Sequence, residues 1–294
     1  MTQGRIIKGV GGLYQVLCQD GSVLSCKARG VFRKDNITPC VGDIVKVVEA
    51  GAIQSIEPRK NHLVRPPIAN VDNICIVLSA EKPKADLLLT DKMTATAYYM
   101  GIIPMILINK CDLANEGQIA FLQDHFLGTG IRVIQCSCMD SSSIARVQEQ
   151  LRQGITVFAG QSGVGKSSIL SRLIPGSDLE VGALSDKSGR GKHTTRLVEL
   201  HNLQQGRLLA DTPGFSNYDT QVPKPEELFL YFPEFRQFDR RCSFNTCLHD
   251  KEPDCAVKKA VAEGLLSKGR YQNYLKILQE LKDKKPIYKK SSSG

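Results

Sequence analysis

Two different patterns of apolar and polar residues divide the chain near residue 66. Residues 4 to 60 hold short runs rich in Val and Ile, and turn signals at Asp20-Gly21, Val41-Gly42-Asp43 and Gly51 separate these runs. About five short strands in roughly 60 residues predict a small closed β-barrel, for which the OB-fold is the leading candidate. Such barrels often bind single-stranded nucleic acid in a basic groove. The alternative is a barrel that only packs against the next domain.

After Pro66-Pro67 the pattern changes to apolar runs that alternate with helical periodicity. The runs predict strands at 73–79, 103–109, 132–137, 155–159 and 208–211. Helical patterns between them indicate an α/β fold, a mostly parallel sheet with helices on both faces. Residues 223 to 294 are largely helical around a group of Cys and His. We therefore predict three domains, at 1–66, 67–222 and 223–294.

A phosphate-binding motif follows the fourth of these strands. The stretch GQSGVGKSS fits the pattern GxxxxGK[ST] between a strand and a helix. Glycines let backbone N–H groups point at the β-phosphate, and the helix adds its positive N-terminal end. Lys166 would reach the β- and γ-phosphates, and the Ser167 hydroxyl would bind Mg²⁺. The predicted nucleotide contacts in this stretch are Gly160, Gly163, Gly165, Lys166, Ser167 and Ser168. A simple glycine-rich turn is the alternative.

Two further segments complete a predicted magnesium and γ-phosphate site. LLADTPGF places Asp211 at the carboxyl end of a strand, where it would hold Mg²⁺ through water, and the N–H of Gly214 would meet the γ-phosphate. Between the two motifs, GALSDKSGRGKHTTR is long and polar and has no periodicity, which is typical of a functional loop. One threonine of such a switch loop closes onto Mg²⁺ and the γ-phosphate. Thr194 and Thr195 are the candidates, and the position of the next strand favours Thr195.

The stretch INKCDL predicts recognition of guanine. It follows a buried strand, and the Asp112 carboxylate can accept both N–H donors on the Watson–Crick edge of guanine. Adenine would place a lone pair there, and sites built on such bonds can reject the wrong partner by about 10⁴-fold. Asn109 would tie the loops together and Lys110 would lie along the base. Ser137, at the end of the next strand, would lie on the carbonyl side of guanine.

A Cys/His cluster in the C-terminal segment predicts a metal site. The spacing C-x4-C-x-H-x5-C gives the ligands Cys242, Cys247, His249 and Cys255. Three thiolates and one imidazole suit a closed tetrahedral, structural Zn²⁺ site. Four unpaired polar loop residues are the alternative. The seven cysteines outside this cluster are interpreted as small buried apolar residues; they are Cys18, Cys26, Cys40, Cys75, Cys111, Cys136 and Cys138. The histidines His62, His125 and His201 show no partner in the sequence and are interpreted as surface or packing residues.

The order of these motifs, with the guanine loop before the phosphate loop, resembles the ribosome small-subunit-dependent GTPase A family (RsgA/YjeQ) over essentially the whole chain. NKCD, GQSGVGKSS, GKHTTR, DTPGF and the Cys/His cluster carry the resemblance. It implies a circularly permuted P-loop GTPase domain flanked by an N-terminal OB-fold barrel and a C-terminal helical zinc-binding domain. It also implies a GTPase that acts late in assembly of the small ribosomal subunit. The chain departs from the family in having Ser-Cys where Ser-Ala is commoner after the guanine loop.

Hydrolysis needs a group that positions water, and the usual one is missing. Many GTPases carry Gln just after the Asp-x-x-Gly motif, but this chain has Phe215 there. We therefore expect slow intrinsic turnover. His193, beside the two threonines, is the best internal candidate for a catalytic residue, and the resemblance points the same way; a mobile loop histidine without this role is the alternative. Because Gly163 stands where potassium-activated GTPases have Asn, we expect no strict potassium requirement.

Charge favours a polyanionic partner. The 294 residues carry a net +9, and residues 1 to 66 hold ten Lys and Arg against five Asp and Glu, a net +5. Residues 256 to 294 hold ten against three, a net +7, so that the middle of the chain is mildly acidic. These basic flanks suit the small ribosomal subunit and its rRNA, although a merely solvated surface would carry similar charge.

Composition favours the cytoplasm as the expected location and leaves three functions in competition. No apolar run reaches the roughly 18 to 20 residues that span a bilayer, and the N-terminus lacks the core of a signal peptide. We expect a cytoplasmic monomer that binds GTP and GDP. An RNA-coupled GTPase of ribosome assembly leads, ahead of a signalling switch with a protein effector and a nucleic-acid-binding protein whose nucleotide site only regulates affinity.

Overall fold

The computed structural model describes residues 2–28, 32, 37–48, 51–64, 66–174, 198–203, 205–211, 220–239, 241–244 and 246–284, with Asp211 and Asp239 described by their backbone alone. The chain forms two compact units. Residues 1–86, 100–119 and 132–217 make up the first unit, and residues 87–99, 120–131 and 218–294 make up the second.

Five strands of the first unit close into a barrel. They are β1 (Thr2–Val10), β2 (Leu13–Cys18), β3 (Val23–Ala28), β4 (Ile44–Val48) and β5 (Ala52–Ile56). Their order is β1-β2-β3-β5-β4, and β4 pairs back onto β1, which closes the barrel. Apolar residues with no exposed surface fill its interior; they include Ile6, Val16, Cys26, Val45 and Ile53. The predicted OB-type barrel is confirmed.

A six-stranded sheet forms the rest of the first unit's framework. It contains β8 (Val71–Ser79), β9 (Ile103–Asn109), β10 (Arg132–Gln135), β11 (Gly154–Ala159), β12 (Glu199–Asn202) and β13 (Arg207–Asp211). Its order is β10-β9-β8-β11-β13-β12, and all neighbours are parallel except β12 and β13. The predicted strands therefore do form one sheet. β12 also pairs with β1, where Lys8 Nζ lies 2.6 Å from Glu199 Oε2, so that the sheet continues into the barrel.

Helices pack against this sheet, and a short ribbon leads into it. The ribbon is β6 (His62–Val64) with β7 (Pro67–Ala69). In the core, α3 (Ser141–Gln150) and α4 (Lys166–Leu173) pack Ile144, Val147 and Ile169 against the sheet residues Val77 and Phe158. Because β8 and β11 are buried on both faces, their sequences are almost continuously apolar.

The second unit is helical. Its helices are α1 (Leu87–Tyr99), α5 (Arg236–Asp239), α6 (Ala256–Ala262) and α7 (Lys268–Asp283), with 3-10 turns at Pro225–Tyr231 and Pro233–Phe235; α2 (Glu116–Asp124) has its first residues in the first unit. Their core is aromatic, with Phe232, Phe235 and Tyr274 in edge or stacked contact. Aromatic side chains bury large apolar areas, which suits a unit built from short helices.

A buried ionic cluster lies inside this second unit. Arg270 donates to the carboxylates of Asp91 and Glu234, and Asp91 also accepts from Asn273. The Nε2 atom of His125 lies 2.8 Å from Asp91 Oδ2, and His125 is buried. His125 is therefore an interior packing residue rather than a surface one, and it has a charged partner that the sequence does not show. Buried charges are tolerated when each is paired, as those of Arg270, Asp91 and Glu234 are, although the Nη2 atom of Arg270 and the Oε2 atom of Glu234 have no hydrogen-bond partner among the described residues.

The three predicted domain boundaries remain a prediction, because the two compact units divide the chain differently. The barrel and the sheet share the first unit through the pairing of β12 with β1. Helix α1 and residues 120–131, predicted to belong to the 67–222 domain, instead cluster with the C-terminal residues. Asp91 pairs with Arg270 of α7, and His125 contacts Asp91, which accounts for this assignment.

Candidate nucleotide and metal sites

The phosphate loop joins the central strand β11 to helix α4. Gly160, Gly163 and Gly165 all have positive φ, at 130°, 79° and 97°. At Gly160 a Cβ atom would lie 2.3 Å from the Val77 carbonyl oxygen, so that a larger residue would displace the loop from the sheet. Helix α4 begins at Lys166, and half-buried Ser167 and Ser168 lie in its first turn. The loop therefore presents a helix N-terminus at the carboxyl edge of the sheet, where an anion is stabilised.

Lys166 is held inside this loop. Its ammonium donates to the carbonyl oxygens of Gly160, over 2.8 Å, and Gln161. Burial lowers the pKa of Lys166 to about 8. A cation that is partly desolvated and faces only carbonyl dipoles favours a nearby anion, because an opposite charge restores the stability of the ammonium form.

The predicted guanine loop is tied directly to the phosphate loop. Asn109, the last residue of β9, is 1% exposed, and its Nδ2 atom donates to the Val164 carbonyl oxygen over 2.8 Å. Lys110 donates from Nζ to the Gly163 carbonyl oxygen over 2.8 Å and to that of Lys82. The structure thus brings together the two loops that the sequence separates by about fifty residues.

The remaining guanine-loop candidates lie at the same edge of the sheet. Asp112 is exposed in the 3-10 turn Cys111–Leu113 that follows β9. Ser137 follows β10, is 7% exposed, and its hydroxyl accepts from the Met139 N–H over 3.1 Å. The carboxylate of Asp112 is therefore exposed to solvent. The hydroxyl of Ser137 instead accepts a hydrogen bond within the turn that follows β10.

Two features of this site have no clear signal in the sequence. The segment after β8 lies against the phosphate loop, since the Asp86 N–H donates to Gln161 Oε1 over 2.9 Å. The Oδ1 atom of Asn109 accepts from the thiols of Cys136 and Cys138, over 3.4 and 3.5 Å. The interpretation of Cys136 and Cys138 as apolar residues therefore omits their role as donors. Cys40, Cys111 and Cys138 are half-buried rather than buried, which corrects their predicted burial.

The predicted switch residues fall outside the described part of the chain. The residues that lie outside it are His193, Thr194, Thr195, Gly214 and Phe215. Asp211 is described only as the last residue of β13, which pairs in parallel with β11. Strand pairing thus places the backbone of Asp211 on the strand next to the one that leads into the phosphate loop.

The Cys/His cluster is assembled as the spacing predicts. The Nδ1 atom of His249 lies 3.7, 3.4 and 3.4 Å from the Sγ atoms of Cys242, Cys247 and Cys255. The Sγ atoms of Cys242 and Cys255 are 3.9 Å apart, and all four ligand atoms lie within 4.8 Å of one another. Tetrahedral zinc, with bonds of about 2.3 Å to sulfur and about 2.0 Å to nitrogen, would separate its ligands by roughly 3.5–3.8 Å. The cluster therefore fits one tetrahedral ion.

Surrounding residues hold the turn that carries these ligands. Glu252 accepts from the N–H groups of Leu248 and Asp250, over 2.8 and 2.9 Å. The hydroxyls of Tyr271 and Tyr274 donate to the carbonyl oxygens of His249 and Leu248, over 2.7 and 2.6 Å. Three residues apart on α7, the two tyrosines share a helix face, which fixes the ligand turn against that helix.

Among the helices that the structure describes, none combines the length and apolar character needed to cross a membrane.

Comparison with known proteins gives one consistent result. Residues 56–221 match the family model described as RsgA GTPase, and residues 3–52 match the RsgA N-terminal domain. A small ribosomal subunit biogenesis GTPase RsgA from Caldanaerobacter subterraneus is 44% identical, covering 96% of both chains. The protein of the same name from Bacillus subtilis is 42% identical, covering 98% of this chain and all of the relative.

Solved structures give the same result. YloQ, a circularly permuted GTPase, superposes with a TM-score of 0.81 at 38% identity, covering 98% of this chain and 97% of its own. YjeQ from Thermotoga maritima superposes with a TM-score of 0.82 at 31% identity, covering 97% and 99%. The whole length of the chain is thus similar to these proteins, and the predicted permutation is confirmed.

Proposed function

Because the chain belongs to the RsgA GTPase family, we propose that it hydrolyses GTP to GDP and phosphate in step with late maturation of the small ribosomal subunit. The observation that carries the proposal is the pair of hydrogen bonds from Asn109 and Lys110 to the phosphate loop. They hold the predicted guanine loop next to the phosphate loop, as a single nucleotide site would require.

GTP binding would use both loops. We assign the triphosphate to Gly160, Gly163, Gly165, Lys166, Ser167 and Ser168, and the guanine to Asn109, Lys110, Asp112 and Ser137. The exposed Asp112 carboxylate can accept both Watson–Crick donors of guanine, and the buried Lys166 ammonium gains a phosphate partner in place of carbonyl dipoles. The donor set of Ser167, Thr195 and Asp211, hydroxyl and carboxylate oxygens, suits Mg²⁺, which neutralises charge on the phosphates when it is bound.

The chemical step needs an ordered water. Phe215 has no polar atom that could orient one, so the protein alone would turn over slowly. We propose that the His193 imidazole accepts from or orients the attacking water, and that Thr195 and Gly214 contact the γ-phosphate. Contacts with the small subunit would bring these residues into place.

A single structural zinc ion would occupy the Cys242, Cys247, His249 and Cys255 cluster. The distances between ligand atoms support a tetrahedral ion, and four protein ligands leave no position for a catalytic water. The tyrosines of α7 hold the backbone of the ligand turn, so metal binding and packing of the second unit would support each other.

The partner would be the small ribosomal subunit, through its rRNA. Relatives at 41–44% identity carry the name small ribosomal subunit biogenesis GTPase, and the net charges of +5 and +7 on the two flanks suit a polyanionic surface. The same role suits a cytoplasmic protein, and we expect it to act there as a monomer.

Binding to small subunits tests this partner directly. The protein should sediment with purified small subunits with GTP bound, and binding should weaken as salt rises, because contacts with phosphates release counterions. Binding that does not change with salt concentration, or that is equally strong to an unrelated acidic protein, would contradict the proposal that rRNA is the partner. A signalling switch, the competing function, would bind its effector without small subunits.

A further inference from the structure

We propose that Cys138 is a positioning residue of the nucleotide site, whose thiol acts with that of Cys136 to fix the orientation of the Asn109 side chain. The inference rests on the proposed guanine loop and names a residue that this assignment does not include. Cys138 occupies the position after Ser137.

The geometry around Asn109 defines which end of its amide faces which loop. Nδ2 points at the Val164 carbonyl oxygen, which can only accept, over 2.8 Å. Oδ1 faces two thiols, Cys136 at 3.4 Å and Cys138 at 3.5 Å. Turning the amide over would place oxygen against oxygen and NH₂ against S–H, so both ends favour the same orientation.

Both thiols are suited to act as donors. Burial is the leading cause that raises the pKa of Cys136 and that of Cys138, so both groups stay protonated at neutral pH. A protonated thiol keeps its S–H for donation to Asn109 and is a poor nucleophile. These cysteines are therefore fitted to hold the loop rather than to react.

Cys138 has a second contact that links it to the phosphate loop. At Gly165 an added Cβ atom would lie 2.2 Å from Asn109 Nδ2 and 4.0 Å from Cys138 Sγ. Asn109 and Cys138 thus lie against the last glycine of that loop. Cys138→Ala would remove one of the two donors to Asn109 Oδ1 and would open space beside Gly165. The orientation of the Asn109 amide would then be less well fixed.

The consequence is a specific pattern in nucleotide binding. Asn109 joins the loop for the base to the loop for the phosphates, so weakening its orientation would weaken GDP and GTP equally. The contacts to the γ-phosphate come from other segments, so turnover at saturating GTP would stay the same. A packing role alone has no reason to depend on a donor hydrogen at position 138.

The test compares Cys138→Ala, Cys138→Ser and Cys111→Ala with the unaltered protein, using dissociation constants for GDP and GTP. The Cys111 thiol donates to the Ile108 carbonyl oxygen rather than to Asn109, which makes it a matched control. We expect Cys138→Ala to weaken both nucleotides by about two- to tenfold, the range for one neutral hydrogen bond. Cys138→Ser keeps a donor and should retain the affinity, and Cys111→Ala should change it by less than about twofold.

A double-mutant cycle with Asn109→Ala separates this role from simple packing. In the Asn109→Ala background, Cys138→Ala should have no further effect, because its acceptor is gone. Unchanged affinity in Cys138→Ala, failure of serine to restore it, or additive losses in the cycle would each overturn the inference. Equal affinity of the unaltered protein for GTP and ATP would instead contradict the assignment of the guanine loop. Failure of the inference about Cys138 and failure of the proposed function are therefore distinguishable.

Discussion

The side chain of Asn109 donates to the backbone of Val164 over 2.8 Å, and so connects the loop after β9 to the loop after β11. The strand β8 lies between these two strands in the sheet. A site made by neighbouring carboxyl ends of parallel strands depends on the order of strands in space rather than along the chain. A permuted chain can therefore build the same nucleotide site as a chain in the ordinary order would.

Replacing Asp112 by Asn should change which base the protein prefers. The amide offers a donor where guanine also has a donor, so affinity for GDP should fall by roughly 1.5–3 kcal/mol. Xanthine has a carbonyl oxygen at that position, so xanthosine diphosphate should gain affinity in the same variant. Dissociation constants for the two nucleotides give the answer, and a parallel loss for both would show that Asp112 does not read the base.

Nucleotide binding should weaken as pH rises through the pKa of Lys166. Burial lowers this pKa to about 8 in the free protein, and bound phosphate stabilises the charged form. Above about pH 8, GDP binding therefore requires Lys166 to take up a proton, whereas well below that pH Lys166 is already protonated and no proton is taken up. The dissociation constant for GDP should rise about fourfold from pH 7 to pH 8.5.

The Lys166→Arg variant is the control for that pH profile, because an arginine keeps its charge throughout this range. Its GDP affinity, whatever its absolute value, should not change between the two pH values. A flat profile for the unaltered protein, or an identical slope in the arginine variant, would show that Lys166 does not cause the dependence.

Zinc should be present at one equivalent and should support the second unit. Cys247→Ser removes a buried ligand, whereas Cys26→Ser alters an equally buried thiol in the barrel, outside the cluster. Metal analysis should find the zinc lost in Cys247→Ser and retained in Cys26→Ser. A folded, unaltered protein with far less than one equivalent of zinc would contradict the assignment.

The buried ion cluster should dominate the stability of the second unit. Asp91→Ala leaves the fully buried Arg270 without one of its two carboxylates, and removing one partner of a buried pair costs about 3–5 kcal/mol. Lys92→Ala is the control, because it also breaks an ion pair between α1 and α7, with Glu280 at 2.6 Å, but Glu280 is 47% exposed. That loss should be at most about 1 kcal/mol. Urea unfolding measures both, and similar losses would contradict the proposed importance of burial.

Local patterns were enough to predict the strands of the framework and the residues of the Cys/His cluster that the structure brings together. The apolar runs of β8, β9 and β11, and the fixed spacing of the phosphate loop, are short-range features that one stretch of sequence shows. The pairing of Asp91 with Arg270 spans 179 residues and has no periodicity that marks it. For the same reason His125 showed no partner, and α1 could not be assigned to the C-terminal unit.

The thiol contacts of Asn109 were missed for a different reason. Cys136 and Cys138 fit the apolar pattern near the end of β10, and a cysteine gives the same signal whether it only fills space or also donates. Only the position of Asn109 Oδ1 distinguishes the two roles. The Ser-Cys departure from Ser-Ala was the single signal in the sequence that pointed to this place.

The role of His193 in hydrolysis can be separated from the role of the small subunit. His193→Ala should keep its affinity for GTP and for small subunits and lose most of the stimulated turnover, because no group would then position the water. His62→Ala changes a histidine of the β6–β7 ribbon and should be stimulated normally. Full stimulation of His193→Ala would assign the positioning of water to another residue or to RNA.

Steady-state GTP turnover with and without purified small ribosomal subunits tests the central claim most directly. The isolated protein should be slow because Phe215 cannot orient water, and small subunits should accelerate it by on the order of 10³- to 10⁵-fold, as activators that complete a GTPase site do. High salt should reduce this stimulation in parallel with binding. Turnover that is the same with and without small subunits would contradict the account.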